Sequence, residues 1–554
     1  MAERSRKRFA PKNQQVELLF ALAGPVGTDF EFVAAALGDS LKTVSYTSEV
    51  LKLSRFLRDY GLREGLLPID LSSTFEDERI RQHQRAGNAL REALDDNAAL
   101  AIRAIGAISE SHVAAQEGGK PVYKGPQRHA HILDSLKRPE EVHQLRQVYG
   151  AGFFLIGVVS PRSARIQKLA SGIAKSHGTA DVDQWLKTAT DLVDIDEGED
   201  SEYGQKLSDT FPMADLFVAF GADAERSRED VRHQVNRFVR LIMGANDTTP
   251  TAAESAMFHA FGAGVRSGSL SRQVGAALAN GAGDLLSVGC NDVPKAGGGI
   301  YWEGDHYDHR DIKRERDSSQ EHEEEIVREI LEAFEKKGWL SGSPSIREAI
   351  TSLEKARVAN LLEFMRAVHA EMDALLTAQR NGLSALHATL FCTTFPCHEC
   401  AKLIISAGIS RVVYIEPYPK SRVAQMYRTE IATEGFAALC NSCGAGSPTA
   451  DECASCRNKD LIKFENGLCI QCRHLHRVEF EPFVGIGPRR YLELFVMTSL
   501  EGLKFKRKDD SGRRLTWTPA QRSPMYPLSY LEKENLLYDG YSEAFEKLKK
   551  KEQS

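Results

Sequence analysis

No stretch of this 554-residue chain is apolar enough to span a bilayer, which takes about 20 consecutive nonpolar residues. No membrane attachment is therefore expected. The amino terminus lacks a secretory signal as well: Arg4, Arg6, Lys7, Arg8 and Lys12 make residues 1–13 a basic tail with no apolar segment behind it. A cytoplasmic location is the expectation that follows. Excess positive charge is also missing, with 71 Lys and Arg against 77 Asp and Glu, a formal net charge of −6. That balance argues against a broad surface for polynucleotide phosphates and leaves room only for a local basic patch. Cysteine is sparse at ten residues, yet eight of them fall into four Cys-x-x-Cys pairs, at 397/400, 440/443, 453/456 and 469/472. In a reducing compartment such pairing signals zinc more readily than disulfides, and it leaves only Cys290 and Cys392 as apolar core residues. The length suits three or four domain-sized units, and 42% hydrophobic with 27% charged residues suits globular cores.

The segments His369-Ala370-Glu371 and Pro396-Cys397-His398-Glu399-Cys400 carry the most chemistry. If Pro396 opens a helix, Cys397 and Cys400 share one face of its first turn, where the helix dipole favours thiolate. His369 brings a third ligand from the start of another helix, over 370–378. Three ligands leave one tetrahedral position for water, and Glu371, not needed as a ligand, is free to move a proton. A Cys-x-x-Cys pair alone is more often half of a structural knuckle, and a lone His-x-Glu is usually a solvated helix end. The two together, with an apolar strand at 388–392 before the proline, resemble the H-x-E…P-C-x-x-C signature of zinc nucleobase deaminases.

The amino-terminal half alternates apolar runs with helical patterns, which predicts a parallel α/β sheet. Its first strand, 16–23, runs into Gly24-Pro25-Val26-Gly27-Thr28-Asp29 and a helix from Phe30. Such a turn offers amides and a helix N-terminus to a phosphate, making Gly24, Gly27, Thr28 and Asp29 candidate nucleotide-binding residues. No lysine follows the second glycine as a P-loop requires, and a plain strand-to-helix turn is an equal reading. Further strands are predicted at 129–134, 152–159 and 214–220, with the change of domain between Arg240 and Pro250.

Beyond it, a helix at 252–265 and strands at 274–278 and 285–289 lead to Asn291, placed to hydrogen-bond a sugar hydroxyl or ring amide, or simply to form a turn. His306 and His309 beside Asp305 and Asp308 read as a polar loop and not a metal site. Residues 478–491 are expected to be a final strand and turn packed near the active site. Cys453-x-x-Cys456 and Cys469-x-x-Cys472, twelve residues apart, have the spacing of a four-cysteine zinc knuckle. Cys440 and Cys443 upstream, with His474 and His476 downstream, form either a second mixed site or a spare pair. A closed four-ligand set predicts a structural zinc.

The run Ser271-Arg272-Gln273-Val274-Gly275-Ala276, then Gly289-Cys290-Asn291, His369-Ala370-Glu371 and Pro396 to Lys402 resembles the deoxycytidylate deaminase family in order and spacing. The segments 135–142, 203–205 and 298–302 extend the likeness to two-domain bacterial antiphage dCTP deaminases. That resemblance implies an α/β protein: a P-loop kinase-like parallel sheet over 14–245, then a cytidine-deaminase-like α/β/α sandwich over 246–439 and 477–540. A Cys-rich zinc insert at 440–476 interrupts the sandwich, and 541–554 is a tail. It further implies catalytic zinc on His369, Cys397 and Cys400, Glu371 as proton shuttle, and Asn291, Ser271, Ala370 and Pro396 around the substrate. The implied reaction takes dCTP, and dCMP, to deoxyuridine nucleotides, draining a pool that phage need. Implied partners are a nucleotide effector at the amino-terminal domain, an inhibitory small RNA and further copies of the chain. Two other readings stand beside this one: a deaminase of RNA or single-stranded DNA, and a nucleotide-sensing regulator.

Overall fold

The computed structural model describes residues 17–517 except 58–70, 118–119, 124–127, 198–202, 222–223, 340–344, 354–364, 417–422, 498–506, 510 and short stretches between 428 and 475. The tails at 1–13 and 541–554, Cys472 and His474 lie outside the described residues. The chain forms two compact units, Met1–Thr251 with Pro482–Ser554, and Ala252–Glu481.

In the first unit, β1 (Leu18–Ala23) is six residues of unbroken burial, a pattern that demands cover on both faces. β2 (Thr47–Lys52), the small hairpin β3 (Val113–Glu117) and β4 (Lys120–Tyr123), β5 (His129–Leu136), β6 (Phe153–Val159) and β7 (Leu216–Ala219) follow. These strands lie in the order β2-β5-β1-β6-β7, all parallel, and a short sixth strand adds antiparallel beside β7. Because β5 and β6 flank β1 on either side, the strand order reverses at β1, and the carboxyl end of β1 is a switch point of the kind where α/β sheets bind ligands. The helices Phe30–Thr43 and Ala224–Ile242 cover one face through Val33, Leu37, Leu41, Val231, Val235 and Phe238. No helix of the described residues is long and apolar enough to cross a membrane.

The second unit holds β8 (Gly275–Ala279), β9 (Leu285–Cys290), β10 (Thr389–Cys392), β11 (Arg411–Tyr414) and β12 (Ile431–Thr433). A smaller sheet is made from β13 (Ala438–Cys440), β14 (Gly446–Ser447), β15 (Leu461–Glu465) and β16 (Leu468–Cys469), in the order β14-β13-β15-β16. β17 (Val478–Pro482) returns to the main sheet, which reads β12-β17-β11-β10-β8-β9. β8 is antiparallel to both β9 and β10, whereas β10 and β11 are parallel.

Residues 477–540 do not all stay with the deaminase-like sheet, contrary to the sequence expectation. β17 pairs with β12 there, but β18 (Gly485–Ile486) pairs with β7 of the first unit, and Phe483 packs edge-on against Phe217. The physical reason is a buried ion pair. Asp215, 1% exposed, accepts from the Leu155 amide at 2.7 Å and from Arg490 at 3.1 Å, and Arg490 also donates to the Phe153 carbonyl at 2.7 Å. A buried arginine without those partners would be strongly destabilising, so 482–490 goes where they are.

Gly289 of β9 faces the helix Ala370–Arg380 with no room between: a Cβ there would stand 2.3 Å from the Ala370 carbonyl oxygen and 2.3 Å from the Ala374 amide nitrogen. Both atoms are backbone and cannot swing away. Gly289→Ala is expected to lower stability by about 1–3 kcal/mol, typical of overpacking, and Gly281→Ala, in open space, to change it little. Denaturant unfolding of the full chain, followed by tryptophan fluorescence and circular dichroism, measures both.

Candidate active site

His369 is the N-cap of the helix Ala370–Arg380, held in extended backbone geometry by reciprocal hydrogen bonds between Val368 and Asp292, at 2.9 and 3.3 Å. Cys397 is the N-cap of the helix His398–Ser406, its sulfur accepting from the Cys400 amide at 3.4 Å. The second helix begins at His398, two residues past Pro396, so Cys397 stands at its cap and not inside its first turn. The two starts meet: His369 Nδ1 lies 3.2 Å from Cys397 Sγ and 3.3 Å from Cys400 Sγ. One ligand atom from each of the three residues lies within 4.8 Å of the others, and among the described residues the group contains no fourth protein ligand.

The electrostatics suit a cation. A hydrogen bond from Cys400, against the effect of burial and helped by His369, draws the Cys397 thiol down to about 4. That shared proton, together with burial, pushes Cys400 well above its ordinary value. The hydrogen bond with Cys397 likewise raises His369. Burial pushes the Glu371 carboxyl up, opposed by His369 and by a hydrogen bond from Cys400. Glu371 is 3% exposed, next to the donor trio and not part of it. One imidazole and two sulfurs fit zinc, and three ligands rather than four leave a coordination position open.

The other candidates surround this centre unequally. Ala370 is fully buried as the first residue of its helix, and Pro396 is buried before Cys397. Asn291 is buried, but its side chain is tied to backbone: Oδ1 accepts from the Val274 amide at 2.7 Å and Nδ2 donates to the Arg272 carbonyl at 2.8 Å. It braces the 267–274 loop, on which Ser271 stands exposed with its hydroxyl 3.3 Å from that of Ser269. Arg272 of the same loop reaches Glu416 at 2.6 Å. Asp373, absent from the sequence reading, is 5% exposed and accepts from the Cys290 amide at 3.2 Å, binding β9 to the helix that carries Glu371. Its place two residues past Glu371 is the only signal the sequence offered. Asp305 and Asp308 are committed to Lys295 and Arg310 at 2.8 and 2.6 Å, as a polar loop requires.

The remaining cysteines group differently from the spacing argument. Cys440, Cys443, Cys453 and Cys456 bring their sulfurs within 4.8 Å of one another, with Cys440 3.5 Å from Cys456 and Cys443 3.6 Å from Cys453. Cys469 is buried in β16 opposite Phe464, apart from that group. The cause is strand pairing: β13 and β15 run antiparallel with Cys440 opposite Leu461, which brings Cys453 and Cys456 back onto Cys440 and Cys443. The knuckle is therefore 440/443 with 453/456, and the pairing of 453/456 with 469/472 is corrected.

At the carboxyl end of β1, the Gly24–Asp29 turn adopts the geometry that glycine permits. Gly27 has φ +85° and a Cβ there would meet the Arg165 carbonyl oxygen at 2.9 Å. The turn is engaged by its own chain. Asp196, 2% exposed, accepts from the Val26 amide at 2.7 Å and from Lys137 at 2.8 Å, and Lys137 also donates to the Gly24 carbonyl at 2.9 Å. Thr28 is buried with its hydroxyl making no hydrogen bond. Asp29, partly buried, is held below its ordinary value by Lys168 and Arg228 despite that burial. The cation missing after Gly27 in the sequence thus arrives from Lys137, just past β5.

Residues 250–416 match the family model described as the cytidine and deoxycytidylate deaminase zinc-binding region. The match falls almost wholly within the second unit. The chain is 47% identical over 55 residues to the deoxycytidylate deaminase of Enterobacteria phage T2, covering 10% of this chain and 29% of that protein. It is 53% identical over 51 residues to the probable deoxycytidylate deaminase of Drosophila melanogaster, covering 9% of this chain and 24% of that protein. With ComE operon protein 2 of Bacillus subtilis it shares 42% identity over 60 residues, 11% of this chain and 32% of that protein. The chain thus spans a third or less of the length of these relatives. The dCMP deaminase from the cyanophage S-TIM5 aligns in structure at 20% identity and a TM-score of 0.17, covering 30% of this chain and 84% of that one.

Among the described residues the four-sulfur group has a small core around it, Ala438, Cys440, Cys453 and Leu461, so a metal on it would stabilise its strands. Cys440→Ser is expected to release one zinc equivalent per chain and to make the 438–469 segment more susceptible to proteolysis. Metal analysis and limited digestion of the full-length protein measure the two effects.

Proposed function

We propose that this chain is a zinc-dependent hydrolytic deaminase that converts deoxycytidine nucleotides, dCTP and dCMP, to the deoxyuridine nucleotides with release of ammonia, and that it acts in antiphage defence by draining that pool. The observation carrying this reading is the open trio of His369, Cys397 and Cys400 beside a buried carboxylate that none of them needs. Zinc held by these three side chains supplies the Lewis acidity that makes water a nucleophile near neutral pH.

Glu371 takes the proton from that water and passes it to the ring nitrogen and then to the departing amine. Its raised affinity for protons, a consequence of burial, suits a group that must hold a proton between two transfers. His369, Cys397 and Cys400 fix the geometry, since each stands at or within three residues of a helix start that its own backbone determines. Ala370 and Pro396 wall the pocket, and Asn291, through its grip on residues 272–274, sets the loop bearing Ser271 toward the sugar and phosphates. The Gly24–Asp29 turn, with Lys137 and Asp196, serves as a nucleotide-sensing element of the first unit.

Glu371→Gln keeps the size and the zinc ligands while removing the proton carrier. It is expected to lower kcat for dCTP by at least about 10³-fold with zinc content unchanged, read by chromatography of a panel of cytidine and deoxycytidine mono-, di- and triphosphates. Turnover of oligonucleotides with free dCTP untouched would replace this reading by that of a polynucleotide deaminase.

A further inference from the structure

A second cluster of metal-ligating side chains lies in the first unit, at the amino ends of its strands and the far end of β1 from the glycine turn. Glu17 immediately precedes β1, His131 stands in β5 opposite Leu19 of β1 and Glu49 of β2, and His112 closes the helix Ala99–His112. One ligand atom from each of Glu17, His112 and His131 lies within 4.8 Å of the others. His112 Nε2 is 2.6 Å from Glu17 Oε2. The side chains are 10%, 6% and 3% exposed in the order Glu17, His112, His131.

The hydrogen bonding of His131 specifies its protonation. Its Nδ1 faces Glu49 Oε1 at 2.8 Å, and a carboxylate only accepts, so Nδ1 carries the hydrogen. In the neutral ring Nε2 then presents a lone pair, and that atom is buried with no hydrogen-bond partner. Leaving it so costs about 1–3 kcal/mol. An imidazole that donates from one nitrogen to a carboxylate while the other is buried and unpartnered is the arrangement that orients a metal-ligating histidine. The negative charge of Glu17 and the carboxyl end of the helix at His112 both favour a cation there.

We propose that Glu17, His112 and His131 form a further metal site, for a divalent transition ion of the zinc class, with Glu49 orienting His131. Two imidazoles and one carboxylate suit zinc or ferrous iron far better than calcium or magnesium, which prefer oxygen ligands. The close approach of Glu17 to His112 parallels that of His369 to its two sulfurs. The ion ties the start of β1, the middle of the sheet and the end of the helix Ala99–His112 into one anchor. The neighbouring trio of Glu49, His129 and His131 is the weaker arrangement, because Glu49 is 46% exposed and that trio leaves the His131 Nε2 lone pair unused. This site is independent of the deaminase reading.

Full-length protein is loaded with zinc, dialysed and analysed for metal by mass spectrometry. His131→Ala is expected to carry one zinc equivalent fewer than wild type, Cys440→Ser one fewer, and the double variant two fewer, with dCTP turnover by His131→Ala unchanged. An unchanged zinc content in folded His131→Ala overturns the site. Crystals of wild-type protein measured at the zinc absorption edge decide the matter without any variant: an anomalous peak among Glu17, His112 and His131 supports it. Peaks at His369, Cys397 and Cys400 with none there, or a peak on Glu49 and His129 instead, overturn it.

Discussion

Everything in the second unit depends on two helices beginning at the same place. His369 and Cys397 are both N-caps, positions where backbone amides are unsatisfied and negative charge is favoured. The Cys397 thiolate therefore sits in a field that stabilises it before any ion arrives. The helix Ala370–Arg380 is pressed onto β9 at Gly289, pinned by Ser287, which donates to the Ala374 carbonyl at 2.7 Å, and by Asp373 reaching the Cys290 amide. Such contacts leave the start of that helix little freedom, and the position of His369 and Glu371 follows from them.

The two cysteine-rich groups show how ligand number separates chemistry from architecture. The set around His369 has three donors and a buried acid beside it. The set at 440–456 has four sulfurs and a core of only a few residues. Three donors on a zinc ion would leave an open position for a reacting molecule, while four would close on it and substitute for hydrophobic core.

In the first unit the glycine turn is closed by its own chain. The Val26 amide that would meet an anion meets the Asp196 carboxylate instead, and Lys137 neutralises that carboxylate. Any phosphate that binds must compete with an internal acid already 2% exposed.

The sequence by itself made each half of the donor trio legible, because His-x-Glu and Cys-x-x-Cys are short motifs set within about one helical turn, while their meeting across 28 positions is tertiary. The parallel sheet of the first unit was equally legible, since strands covered on both faces read as unbroken apolar runs such as 18–23. Only the tertiary structure decided which Cys-x-x-Cys pairs meet, that Lys137 and Asp196 close the Gly24 turn, and that 482–490 leaves one unit for the other. Those outcomes rest on contacts between residues tens to hundreds of positions apart, Asp215 with Arg490 among them. Local spacing holds no record of such contacts; strand register and buried-charge pairing create them when the chain folds.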